Sequence, residues 1–215
     1  MSTREILIWI LLVIEGIAFL ASMIFFTRLK RAGFVFIPIL MLAIMVSEIM
    51  GKLIIDHRVT FIGNNYWFNI MIPVQFTCLF FLFYQNTSFK YWRRILIVFI
   101  GIAVLLGLYV IIFDIKTFQT RNYTILATLV CACCIHYLYE CMYSKLIVGV
   151  HRNALFYLAL GSLLFYMVTL PLRAMYDFLP QLYVRIFWPS FYLSFALNYI
   201  MYALITFGIV WTKKI

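Results

Sequence analysis

Acidic residues are scarce in this chain: seven Asp and Glu serve 215 residues, and only 11% of the chain is charged. Polar linkers are missing too, with no Gly/Ser-rich stretch, charge run or low-complexity tract between the apolar segments. A water-soluble domain of this length needs far more polar surface to cover itself, so a soluble fold is excluded. Alternating polar and apolar residues over about ten positions do not recur, which excludes a transmembrane barrel. The sequence also lacks a G-x-S-x-G elbow, an H-E-x-x-H metal motif, a phosphate loop and a dinucleotide fingerprint. With these go the common hydrolase, metalloprotease and nucleotide-dependent chemistries.

What is present is apolar sequence, 67% of all residues. It falls into seven runs of about the 20 residues that a helix needs to cross hydrocarbon. These are approximately Ile6 to Phe26, Phe34 to Ile55, Tyr66 to Tyr84, Ile95 to Phe113, Tyr123 to Met142, Ala154 to Leu172 and Phe187 to Trp211. The expected fold is all-α: a polytopic membrane protein in which residues 1–215 form a single seven-helix transmembrane domain. The first run reads as a retained span and not a signal peptide, because Glu15 interrupts it and no small-residue cleavage site follows.

Lys and Arg set the expected orientation. One set of span ends carries Arg28, Lys30, Arg31, Lys90, Arg93, Arg94, Lys145, Arg152, Lys213 and Lys214, ten of the 17 cations, against seven at the alternate ends. The excess places the first set in the cytoplasm, with the N-terminus outside and the C-terminus cytoplasmic. The net charge of +10 is thus divided among short loops facing anionic headgroups, and does not form a nucleic-acid surface. Tyr66, Trp67, Tyr91, Trp92, Trp188 and Trp211 stand beside span ends, as an interfacial aromatic belt requires.

Against this background, polar residues inside the spans stand out. With a rise of about 1.5 Å per residue, Glu15 lies roughly 14 Å and Glu48 roughly 10 Å below the outer ends of their helices. By the same measure Gln75 and Asn198 come at roughly 14 to 17 Å, and Tyr166 at roughly 9 to 12 Å. Five spans therefore bring a hydrogen-bonding group to one level. Such a layer either joins helices by interhelical hydrogen bonds or lines a polar site that binds an ion or ligand or moves protons. Glu48 has Lys52 four residues on, which predicts an ion pair on one helical face. Glu15 has no partner on its own helix. Pro73 removes a backbone hydrogen bond two residues before Gln75, and Pro180 and Pro189 bracket an expected interfacial segment that leads into the last span.

The fifth span places Cys133, His136 and Glu140 on one stripe. These are weak metal ligands as a set, since one helix cannot complete a tetrahedral shell and the spacing matches no zinc pattern. Small Cys and Ala side chains at a close helix contact, with Glu140 snorkelling to the interface, explain the stripe without a metal. No cofactor is expected. The five cysteines sit at intramembrane positions, which gives no extracellular disulfide framework.

The stretches Asn65-Tyr66-Trp67-Phe68-Asn69-Ile70 and Asn198-Tyr199-Ile200-Met201-Tyr202, with the ending Trp211-Thr212-Lys213-Lys214, resemble those of small uncharacterised bacterial seven-helix membrane proteins. The resemblance implies a bacterial inner membrane and brings no activity with it. The seven-span plan also looks like that of the rhodopsins, but the last span has no lysine before Lys213 to carry retinal. The functional expectation is a non-catalytic ligand-sensing or accessory subunit. Its immediate partner is the lipid bilayer, and its signal would pass to a membrane protein partner or a second copy. A transporter or an ion/proton channel using Glu15 and Glu48 is the alternative, and an intramembrane lipid-modifying enzyme the third.

Overall fold

The computed structural model describes residues 3–56, 59, 63–113, 120–143, 152–178 and 180–212, with the side chains of 174–186 outside that description. Among the described residues eight helices follow one another: α1 (Thr3–Ile24), α2 (Phe26–Arg31), α3 (Phe36–Ile55), α4 (Asn64–Asn86), α5 (Lys90–Phe113), α6 (Thr120–Tyr143), α7 (Ala154–Phe178) and α8 (Pro180–Trp211). All but α2 are long and apolar enough to cross a membrane. Helix is the expected state of such segments, because it satisfies every backbone N–H and C=O within the segment where no water can.

The apolar residues divide by face. Along α1, Trp9, Val13, Ile17, Leu20 and Ile24 are exposed, whereas Leu11, Glu15, Ala18 and Ser22 are buried. Both stripes recur every three or four residues, so the outer one meets lipid and the inner one meets neighbouring helices. The inner stripe holds small and polar groups beside Leu11, and the outer one is wholly large and apolar.

Packing follows the neighbour order α4, α3, α1, α8, α7, α6 and back to α4. Six helices thus close a ring, and α5 lies outside it against α4. Close approach at α7 and α8 depends on two glycines. A Cβ on Gly208 would come within 2.8 Å of Tyr157 Cβ, and one on Gly161 within 3.2 Å of the Met201 carbonyl. Small residues at such contacts let helices in lipid gain dispersion contacts, as there is little hydrophobic driving force between them.

The short α2 carries Arg28, Lys30 and Arg31 and closes in a Schellman motif. The Phe34 N–H donates to the Leu29 carbonyl at 2.8 Å and the Gly33 N–H to that of Lys30 at 3.2 Å. Gly33 has φ of 84°, a left-handed conformation that glycine adopts without steric cost. Leu29 and Phe34, at the two positions where the motif usually carries apolar residues, are both buried.

Prolines lie inside the long helices α4 and α8. α4 continues through Pro73, whose ring packs where a Cβ on Gly107 of α5 would lie. The bracketed segment between Pro180 and Pro189 is the first part of α8, a helix of 32 residues that contains Pro189.

Candidate functional site

The ring encloses a cavity of about 410 Å³ between α3, α4, α6, α7 and α8. Its lining on α4 extends from Asn64 to Leu79, roughly 22 Å of helix axis at about 1.5 Å per residue. The polar groups gather toward the end where α4 begins and α7 nears its close: Asn64, Asn65, Glu48 and Arg173, with Gln75, Tyr166 and Asn198 deeper. The opposite end is apolar, formed by Leu40, Met41, Leu79, Leu158 and Ile205. Beyond it the fully buried side chains of Ile37, Phe80, Phe83, Leu155 and Ile209 belong to a packed core.

Four residues of the expected polar layer therefore meet at one space: Glu48, Gln75, Tyr166 and Asn198. The fifth, Glu15, stands behind the wall. It is 3% exposed and its carboxyl is hydrogen-bonded to the side chain of Tyr202, which does line the cavity. Glu15 and Glu48 are near enough to interact electrostatically. One carboxyl oxygen of Glu15, Oε2, is buried and has no hydrogen-bond partner.

The predicted Glu48–Lys52 ion pair is not formed. Lys52 Nζ lies 2.8 Å from Asp56 Oδ1 and 5.7 Å from the centroid of the Trp9 ring. Glu48 and Asp56 are equally spaced from Lys52 in sequence, and the long side chain turns toward the helix end, where its charge keeps more solvent. Glu48 is thereby left facing the cavity and not neutralised on its own helix.

Other lining residues escaped the sequence reading. Arg173 is the most consequential; its guanidinium carbon lies 4.2 Å from the centroid of the Tyr123 ring. Ser162, Tyr166, Thr169 and Arg173 recur at intervals of four, three and four on α7, a polar helical stripe that was visible in the sequence. Tyr202, Tyr123, Asn64 and Asn65 complete the polar wall.

The stripe on α6 does not converge on a metal. Cys133 is fully buried in the apolar core, while His136 stacks on Trp92 with ring centroids 4.0 Å apart and planes 7° from parallel. Glu140 does not snorkel to the interface; it is 4% exposed. Its carboxylate accepts hydrogen bonds from Thr87 Oγ1 at 2.8 Å and from the backbone N–H of Ser88. That N–H lies just before α5, where backbone donors have no helical acceptor, so the carboxylate supplies one. His136 Nδ1 is 4.0 Å from Glu140 Oε2. No group of three His, Cys, Asp or Glu among the described residues could hold a metal ion, and the five cysteines are free thiols.

The arrangement can hold an elongated small molecule: a carboxyl group, a guanidinium and several amides meet its polar part, aromatic rings line its sides, and aliphatic side chains receive its tail. Comparison with protein-family models, with curated proteins and with solved structures finds no match to this chain.

Proposed function

We propose that this integral membrane protein is a non-catalytic ligand-sensing or accessory subunit whose ligand is an amphipathic small molecule bound within the helix ring. The observation that carries the reading is the graded lining of the 410 Å³ cavity, polar at one end and aliphatic at the other. Its volume falls in the ordinary range for small-molecule sites, about 300 to 1,000 Å³. The packed aromatic and aliphatic layer beneath it favours a binding site over a conducting path, since ions crossing the bilayer need continuous polar or hydrated lining. Output would pass through a partner or a second copy.

Binding and flux separate this reading from the transporter alternative. The purified protein in lipid nanodiscs should take up a decyl-chain amphiphile saturably and at about one molecule per chain, while proteoliposomes show no proton or sodium movement above empty vesicles. Ion movement that disappears in Glu48→Gln would establish transport instead.

Orientation belongs to the same proposal: the excess of Lys and Arg turns the polar end of the cavity outward, in what the sequence resemblance suggests is a bacterial inner membrane. Reporter fusions after Arg31, Arg94 and Arg152 should report cytoplasm, and those after Arg58, Arg121 and Arg185 the outside. The opposite pattern would point the cavity at the cytoplasm.

A further inference from the structure

We propose that the cavity selects a cationic amphiphile, with an organic ammonium headgroup against Glu48 and a single alkyl chain toward Leu40 and Ile205. The inference rests on the ligand-binding reading above and names the class of ligand.

Charge around the polar part of the cavity is unequal. Glu48 lines it, and Glu15 adds a second carboxyl group behind Tyr202, with one oxygen buried and lacking a hydrogen-bond partner. Among the described residues Arg173 is the one cationic side chain in the lining, and its guanidinium is already engaged with Tyr123. Glu48 faces the space directly, and Arg173 lies nearer the helix end with its guanidinium stacked on Tyr123, which favours a positive guest deeper than Arg173.

The rings on the wall point to the same charge. Phe68, Phe76, Tyr123, Phe165, Tyr166 and Tyr202 all line the cavity. Tyr166 is the centre of the group, with its centroid 5.1 Å from that of Phe165, 5.8 Å from Phe76 and 6.3 Å from Tyr123. Aromatic faces are the negative part of the ring quadrupole and attract ammonium groups by about 0.5 to 2 kcal/mol each when desolvated. They offer nothing comparable to a carboxylate or sulfate.

Length sets the tail. From Glu48 to Leu40 along α3 is eight residues, about 12 Å at the helical rise, enough for an alkyl chain of about ten carbons.

The test compares three decyl probes of equal chain length on the protein in zwitterionic nanodiscs: decyltrimethylammonium, decanol and decyl sulfate. Equilibrium dialysis with protein-free nanodiscs subtracts partition into lipid. The cation should bind saturably and about tenfold or more tighter than either homologue, and Glu48→Gln should remove most of that preference. Glu15→Gln, which retains an acceptor for Tyr202 and leaves Glu48 in place, should change cation binding by less than about threefold. Saturable binding that favours decyl sulfate or decanol would overturn the cation assignment and leave the ligand site standing. Absence of saturable binding by all three would overturn both. An unchanged cation preference in a folded Glu48→Gln variant would reject Glu48 as the headgroup's partner.

Discussion

Replacing Glu140 with alanine is expected to destabilise the folded bundle by about 3 kcal/mol or more, because hydrogen bonds to a charged group contribute about 1.5 to 3 kcal/mol each. Two donors depend on this carboxylate, the Thr87 hydroxyl and the Ser88 N–H. Thr87 is itself buried, so its hydroxyl would be left without an acceptor in a place water reaches poorly. The consequence extends beyond a local bond. α5 packs outside the ring, with extensive contact to α4 and little to α6, and Glu140 ties the connection between α4 and α5 to α6. Its loss should therefore loosen α5 first, seen as faster hydrogen exchange near Lys90 to Leu96 before global unfolding. Glu140→Gln keeps a carbonyl acceptor for one of the two donors and should cost about half as much. Denaturant titration in mixed micelles, followed by circular dichroism, measures both. An alanine variant within about 0.5 kcal/mol of the native protein, the range of an unremarkable surface change, would show that the carboxylate carries no such tie.

Ser162→Trp should abolish saturable amphiphile binding, by about a hundredfold or more, or about 2.8 kcal/mol. Ser162 is buried on α7 and lines the cavity between its polar and aliphatic parts. An indole projecting there would occupy the passage an alkyl chain must use while fitting within the 410 Å³ available. Stability should hold or rise slightly, as the added ring gains dispersion contacts across space that was empty. Ser162→Ala changes the same position without filling it and should bind almost as the native protein does. If the tryptophan variant folds and still binds with native affinity, the amphiphile lies elsewhere, at the lipid-facing surface of the helices.

The contrast between Glu48 and Glu15 shows how far sequence reasoning reaches into the site. Both were legible as costly intramembrane acids, and the helical rise placed them at similar depth with Gln75, Tyr166 and Asn198. Depth is a one-dimensional coordinate, however, and rotation about the ring is set by which faces pack together. Glu15 has no partner on its own helix, yet Tyr202 of α8 meets it. Glu48 looked like half of an ion pair, yet Lys52 chose Asp56. Glu140 illustrates the same limit, since its partners at Thr87 and Ser88 are more than fifty residues away and carry no local signal.

Composition and periodicity by themselves determined that this chain is a helical membrane protein with seven spans, because a bilayer admits only closed hydrogen-bonding elements and each run is as long as hydrocarbon is thick. They also marked the polar residues that such an environment makes expensive. Tertiary structure alone decided that six helices close a ring with α5 outside, that Arg173 and Tyr202 join the wall, and that the acids divide into one facing the cavity, one behind it and one holding a connection. Those outcomes depend on side-chain packing between helices distant in sequence, where small residues permit approach and lipid supplies no opposing preference. Local sequence fixes what each helix can offer, and the packing selects which offers meet.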